Sequence, residues 1–301
     1  MALTTSEIFR LLKPTLREVL TDKTDNIQRN VAFTKFMNVK DIDDAYVDDT
    51  EIAGPGLVAR KPEGTEIALG QVKAGFQKRY TPETFALKLT VTKEAQEDNK
   101  YTEAVPFARF MKKSMWTTAD VESALVLARA ENTAYPGGDA VPLASASHTL
   151  PHGGTFSNTM ATPMSPSNAA LAIARAALTR MPDLNGIISP LMAKKVVFPV
   201  AQESLWDVLL GSAKSPEAGQ FNALNIAYKM NLEPVRVHHW VNTDTNWALI
   251  SDADNGLNFM WRIRPQERTW MDNDNDIVKF AIRARFTTGW TNARGIFFVG
   301  V

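Results

Sequence analysis

The chain has no cysteine among its 301 residues. That single absence excludes disulfides, thiolate zinc sites and a cysteine nucleophile, and it suits a protein made in a reducing cytoplasm. Neither sign of charge is in surplus, since 33 Lys and Arg balance 33 Asp and Glu. A protein that grips nucleic acid over its whole surface carries a basic excess to neutralise phosphates, so tight, direct DNA binding is not expected. No window approaches about eighteen uninterrupted apolar residues, so no membrane-spanning helix is expected. The opening MALTTSEIFRLLKPTLREVL lacks the apolar core and cleavage site of a signal peptide. It reads as an amphipathic helix broken by Pro14.

Signatures of catalysis are missing too. There is no G-x-S-x-G elbow, no H-E-x-x-H and no G-x-x-x-x-G-K-[ST] phosphate loop. Of the four histidines, His148 and His152 flank a Pro-containing loop, while His238 and His239 fall in a strand-like run whose neighbours point to opposite faces. DNDND at 272–276 and SDADNG at 251–256 lack the full ligand pattern of a calcium loop and read as Asx-rich turns. Nothing in the sequence calls for a metal or a cofactor, and no catalytic residue is singled out.

What is present is an ordinary globular composition, 45% hydrophobic and 22% charged, long enough for about two domains. Residues 5–36 read as an N-terminal arm of one or two helices. From Asp41 to Glu51 come six acidic residues and no basic one: Asp41, Asp43, Asp44, Asp48, Asp49 and Glu51. The stretch DDTEIAGPGLVARKPEGTEIALGQVKAGF, 48–76, then carries five glycines and two prolines, with Gly54, Pro55 and Gly56 in a row. Basic residues gather along and beyond it: Arg60, Lys61, Lys73, Lys78 and Arg79. Each charge run is most simply a solvated face. The stretch itself is a long excursion with little apolar material for a core of its own.

FALKLTVT places Phe85, Leu87, Leu89 and Val91 on one side of a strand. Ile67 and Leu69, then Val72, Ala74 and Phe76, offer a partner strand for it, with a register change near Gly70. A two-stranded ribbon is marginal in water and needs a surface to lie on. In 97–132, Tyr101, Ala104, Ala108, Met111, Met115, Ala119, Leu125 and Ala128 trace one buried stripe of a long helix. Its Met and Trp residues read as packing. A Pro/Gly/Ser-rich loop fills 133–167, and SPSNAALAIARAALTRM forms an alanine-rich helix capped by Ser165 or Ser167. A short strand at 186–189 leads into helical material at 190–212. Short strands follow through VRVHHWV, WALISD and LNFMWRIR. IVKFAIRARF then alternates cleanly, with Val278, Phe280, Ile282, Ala284 and Phe286 facing inward. The class is α+β without βαβ repetition.

GGDAVPLASASHTLPHGGTFSNT at 137–159 combines a Gly-rich turn, a small-residue loop reaching His148, and GGT-x-SN before an alanine-rich helix. Together with VTKEAQEDNKY at 91–101, NWALISDADNGLNFMWR at 246–262 and KFAIRARFTTGWTNARGIFFV at 279–299, it resembles the major capsid proteins of tailed double-stranded DNA phages. It looks most like the branch that includes the Mu-like major head subunits. The motifs run in the family's order over 85–300.

The resemblance implies the Johnson fold: an N-terminal arm at 1–44, an extended two-stranded loop at 45–92, a spine helix of the peripheral domain at 93–135, an axial domain with the second peripheral helix at 136–274, and closing peripheral strands at 275–301. It implies assembly of identical subunits as hexamers and pentamers into an icosahedral shell around packaged double-stranded DNA. The loop would lie across a neighbouring copy, and the glycine density would let one sequence bend differently at five-fold and six-fold positions. Other expected partners are a separate scaffolding protein, because only about forty residues precede the loop, together with a portal protein and, where one exists, a decoration protein. The location would be the virion, after assembly in the host cytoplasm. Some relatives crosslink a loop lysine to a neighbour's asparagine; nothing in this sequence selects Lys61 and Asn292 for that. Two other readings stay open: a host-encoded nanocompartment shell of the same fold, and a cytoplasmic α+β enzyme.

Under the capsid reading, the acidic segment (Asp43, Asp44, Asp48, Asp49 and Glu51) and the basic group (Arg60, Lys61, Lys73, Lys78 and Arg79) meet across subunit boundaries, where complementary charge fixes register more than it adds affinity. Reversing Arg60 and Lys61 together to glutamate is expected to impair shell assembly while the subunit stays folded. Sedimentation velocity and electron microscopy check this, and normal shells from the double variant would refute it.

Overall fold

The computed structural model describes residues 31–67, 69–70, 72–92, 104–151, 153–214, 224–240, 245–253, 256–272 and 277–300. In chain order the elements are α1 (Phe33–Phe36), β1 (Asn38–Asp41), β2 (Val47–Ala53), β3 (Lys73–Tyr80), β4 (Glu83–Thr92), the spine helix α2 (Ala104–Ala128), β5 (His148–Thr149) and β6 (Thr155–Phe156). They continue as α3 (Asn168–Thr179), β7 (Ala193–Pro199), a 3-10 turn (Val200–Gln202), α4 (Glu203–Gly211), α5 (Ile226–Met230), β8 (Glu233–Val237), β9 (Trp247–Ser251), β10 (Leu257–Asp272), β11 (Ile277–Trp290) and β12 (Ile296–Val299). The arm helices expected before residue 31, the 273–276 turn, Tyr101 and His152 lie outside the described residues.

The alternation of IVKFAIRARF is borne out. Val278, Phe280, Ile282, Ala284 and Phe286 are all buried on β11, which lies between β10 and β4 in a sheet of order β1–β10–β11–β4. Strand β1 runs parallel to β10 and the other two pairings are antiparallel. The strand expected to pair β4 with residues 67–76 is therefore corrected. β4 takes β11, with Phe85 opposite Ala284, whereas β3 takes β2, with Asp48 opposite Arg79. Alternation marks a strand but carries no information about its partner. LNFMWRIR also belongs to a single strand of sixteen residues, irregular between Trp261 and Gln266. Pro265 falls in that interval and cannot donate to the ladder, which fits an irregularity there.

The spine helix α2 spans about 37 Å at 1.5 Å per residue. Met111, Met115 and Ala119 are buried as the stripe requires, and further along Ala124 and Leu127 are buried, with Leu125 and Ala128 only partly so. Against this face packs an aromatic group in which Phe33 lies 4.4 Å from Phe259 and Phe286 lies 4.3 Å from Phe85. Asp120 on the helix accepts hydrogen bonds from the Ala32 and Phe33 backbone N–H groups at 2.7 and 3.1 Å, which fixes where the chain enters α1.

A second sheet, of order β12–β9–β7–β8, is covered on both faces. Val197, Val235, Ala248 and Phe298 face the core that includes the spine helix, while Val196, Phe198, Leu249 and Phe297 face α3, α4 and α5. Burial on both sides explains the unbroken apolar runs in KKVVFP, WALIS and IFFV, which lack any period. It also corrects the helical reading of 190–212, because Ala193–Pro199 is a strand. The expected strand at 186–189 is reduced to one bridge between Pro182 and Ile188, with Ile188 62% exposed. His238 and His239 sit in a turn after β8. Helix α3 starts where its cap predicts, the Ser167 hydroxyl accepting from the Ala170 N–H at 3.1 Å.

Gly137 shows how tightly the long loop meets β11: a Cβ there would come within 2.0 Å of the Trp290 ring. Gly137→Ala is expected to cost about 1–3 kcal/mol through overpacking. Gly54→Ala, with nothing within 4 Å of the new atom, should leave stability unchanged. Urea denaturation of the two variants checks the contrast.

Candidate assembly interface

The excursion singled out in the sequence is the β2–β3 ribbon with its connection at 54–72. Its root is tied to the body by a buried knot of polar groups. Asp49 Oδ2 accepts the Thr291 hydroxyl hydrogen at 2.6 Å, and the Tyr80 hydroxyl lies 2.7 Å from Thr291 Oγ1. Thr291 has one hydroxyl hydrogen, already spent on the carboxylate, so Tyr80 donates. The Asn258 amide completes the knot, 3.2 Å from Asp49 Oδ2, 3.3 Å from Thr291 Oγ1 and 3.4 Å from the Tyr80 oxygen. Burial pushes the Tyr80 phenol up to about 12, against the opposing effect of its hydrogen bonds with Thr291 and Asn258. It remains a neutral donor at any ordinary pH.

Several charges on and beside the ribbon are paired within the same chain. Asp48 forms a two-point pair with Arg79, both contacts at 2.7 Å, whose hydrogen bond holds its carboxyl below the usual range. Lys78 donates to the Pro136 carbonyl at 2.7 Å. Asp41 pairs with Arg264 at 2.9 and 2.8 Å, and Asp43 lies 3.6 Å from Arg262. Burial, reinforced by the nearby Asp139 charge, pushes the Glu51 carboxyl up to about 7. Lys73 is the first residue of β3.

Beyond Ala53 the ribbon rises into solvent. Asp44, Gly54, Pro55, Gly56, Arg60 and Lys61 are exposed. Gly54 touches the body through its carbonyl, which accepts from the Asn185 side chain at 2.9 Å, and Gly56 adopts φ +78°, a left-handed turn suited to glycine. The structure thus brings Asp48 to Arg79 but pairs neither Arg60 nor Lys61 with an acid among the described residues. Sequence reading found the charged groups and missed the anchors: Tyr80 ends β3, while Asn258 and Thr291 sit in the LNFMWR and KFAIRARFTTGWTNARG segments, none with a local signal of its role. His148 drew notice only as one of four histidines beside a loop and as part of a motif, and Asn158 only as a letter of the GGT-x-SN motif. Both are buried, Asn158 accepting from the Ser145 N–H at 2.9 Å and donating to the Leu143 carbonyl at 2.7 Å.

Solved structures of shell proteins share this fold. The capsid of cyanophage P-SCSP1u matches with TM-score 0.56 at 10% identity, covering 88% of this chain and 86% of that one. The procapsid of bacteriophage JBD30 matches with TM-score 0.54 at 11% identity, covering 99% and 76%. The virus-like particle from Pyrococcus furiosus matches with TM-score 0.54 at 10% identity, covering 95% and 98%. At such identities the likeness establishes the fold, which is that of phage capsid shells. A family model described as phage capsid protein matches residues 75–299, so the chain belongs to that family and is a structural shell protein. No curated protein gives a significant sequence match.

The buried knot and the surface pair should respond differently to mutation. Tyr80→Phe removes the donor that completes the knot and is expected to cost about 1–2 kcal/mol. Arg79→Ala breaks a pair held in water and should leave the thermal midpoint unchanged. Thermal unfolding of the unassembled chain followed by circular dichroism checks both.

Proposed function

We propose that copies of this chain assemble as hexamers and pentamers into an icosahedral shell enclosing packaged double-stranded DNA, each ribbon lying across a neighbouring copy. The observation that carries this reading is the apolar exposure of the ribbon: Ile52 71%, Leu57 79%, Val58 97%, Ile67 75%, Leu69 88% and Val72 67%. Soluble monomers rarely keep such a group in water, and exposed apolar patches mark interaction sites. A second copy of the chain is the occupant that family membership favours. Zero net charge fits a shell that confines DNA without gripping it.

In this reading the β1–β10–β11–β4 sheet and spine helix form the peripheral domain, and the β12–β9–β7–β8 sheet with α3, α4 and α5 forms the axial domain. The 137–159 and 246–262 motifs support a place in the Mu-like branch. A separate scaffolding protein, a portal and, where one exists, a decoration protein are the further partners, and assembly takes place in the host cytoplasm. The fold likeness to the Pyrococcus furiosus virus-like particle favours one second reading, a shell of the same fold around a protein cargo. Nucleic-acid content of purified particles separates the two.

Replacing Leu57 and Val58 together by aspartate is expected to abolish shells and leave thermal stability unchanged, since both side chains lie in solvent in the single chain. Negative-stain microscopy with sedimentation velocity checks this for the chain expressed with its neighbouring genes. A wild-type chain that stays small there would overturn the shell reading.

A further inference from the structure

The ribbon leaves the body beside a cavity of about 20 Å³, room for one water molecule. Three titratable groups from three segments line it: Glu51 on β2, Asp139 in the loop after the spine helix, and His148 on β5. His148 is 1% exposed, and both ring nitrogens face oxygen, Nδ1 at 2.6 Å from Asp139 Oδ2 and Nε2 at 3.2 Å from the Leu143 carbonyl. A carbonyl only accepts, so Nε2 carries a hydrogen, and the Nδ1–Oδ2 contact requires one more proton shared between imidazole and carboxylate.

Glu51 faces this pair from the ribbon. It accepts a hydrogen bond from the Phe76 N–H, and Asp49 of its own strand adds a further repulsive charge. Of the β3 cations, Lys78 is committed to the Pro136 carbonyl and Arg79 to Asp48. The rest of the wall, including Phe76, Phe156, Leu184 and Trp290, is uncharged. The fit of ribbon to body leaves little slack, because a Cβ on Gly138, beside Asp139, would come within 2.9 Å of the Phe76 Cβ.

We propose that Glu51, Asp139 and His148 form a proton-controlled latch that holds the root of the ribbon against the body while Glu51 is protonated and loosens it when Glu51 ionises. The step is a simple ionisation. The Glu51 carboxyl gives its proton to solvent and leaves a carboxylate facing Asp139 in a poorly hydrated cavity. Released into water, Glu51 returns to its ordinary value of 4.5, whereas docked it titrates near 7. The docked state therefore binds the proton more tightly. Docking is most favoured below the lower value, loses that advantage as pH rises between the two, and has lost it above the higher one. Each unit between the two values is a factor of ten in the docking equilibrium. The consequence for assembly rests on the ribbon being the element that reaches a neighbour; the latch itself does not.

Amide hydrogen exchange on the full, unassembled chain tests it. After correction for intrinsic exchange, protection of peptides covering 47–53 and 73–80 is expected to fall at least tenfold between pH 5 and pH 8, while peptides from α2 hold theirs. Glu51→Gln, which keeps the shape and cannot ionise, should flatten the ribbon's response, and Glu51→Ala serves if that variant folds poorly. Ribbon protection independent of pH in the wild type, or a pH response that survives both variants, would overturn the latch. Because the readout needs no shells, a chain that fails to assemble would count against the proposed function and leave this result in force.

Discussion

The face-to-face contact of Phe286 with Phe85 is the point on which most of the molecule turns. Their rings lie 4.3 Å apart, and Phe286 also meets Phe259 at 5.1 Å and Trp261 at 5.2 Å. The four residues come from β11, β4 and β10, so the cluster locks the register of the three long strands. A slip of one residue would turn the inward set of β11 out to solvent. Phe259 passes the contact on to Phe33, whose backbone N–H is held by Asp120 of the spine helix. Trp290 and Thr291, where β11 ends, are the residues that meet Gly137 and hold the ribbon's root. The placement of the ribbon is thus a consequence of strand register set four to five residues away, about 14–17 Å at 3.4 Å per residue.

A two-stranded ribbon has no second layer, and its two ends meet that problem in different ways. At the root, polar groups substitute for a core: Asp49, Thr291, Tyr80 and Asn258 fix position through directed bonds that tolerate little displacement. Towards the tip, Ile52, Leu57, Val58, Ile67, Leu69 and Val72 are left largely exposed by their own subunit. A chain shaped only for stability as a monomer would carry polar residues there. Keeping them apolar makes sense when the covering surface arrives with another molecule, and the directed bonds at the docked root present them at a defined place.

Different features of this arrangement were legible in the sequence to different degrees. The alternation of β11 and the Met111–Met115–Ala119 stripe could be read directly, because each element buries one face and exposes the other. Strand β7 could not, since KKVVFP is covered on both faces and loses its period. The partner of β4 was illegible for another reason: Phe85 pairs opposite Ala284, and no local pattern reports a contact over that separation. The same distance problem limits the site. The acidic and basic runs announced that charge mattered near the ribbon, but Asp41 finds Arg264 at a separation of 223 residues. The root anchors are ordinary Thr, Tyr and Asn residues that become special only once folding gathers them. His148 stood out by scarcity, yet its partner Asp139 did not.

Those intrachain pairs also constrain how neighbours recognise each other. Asp41, Asp43 and Asp48 already have arginine partners in their own chain, and the half-buried Asp49 is engaged in the knot. An acid so engaged would have to break an existing contact to bind a cation from another subunit, and exposed pairs return too little to drive that exchange. The acidic run is therefore better suited to bracing the ribbon than to gripping a neighbour. Arg60 and Lys61 stand apart, exposed beside Leu57 and Val58 and without an acidic partner among the described residues. In the proposed shell this arrangement would divide the labour: burial of the tip's apolar side chains would supply the affinity, and the two adjacent cations would select where on a neighbour the tip settles.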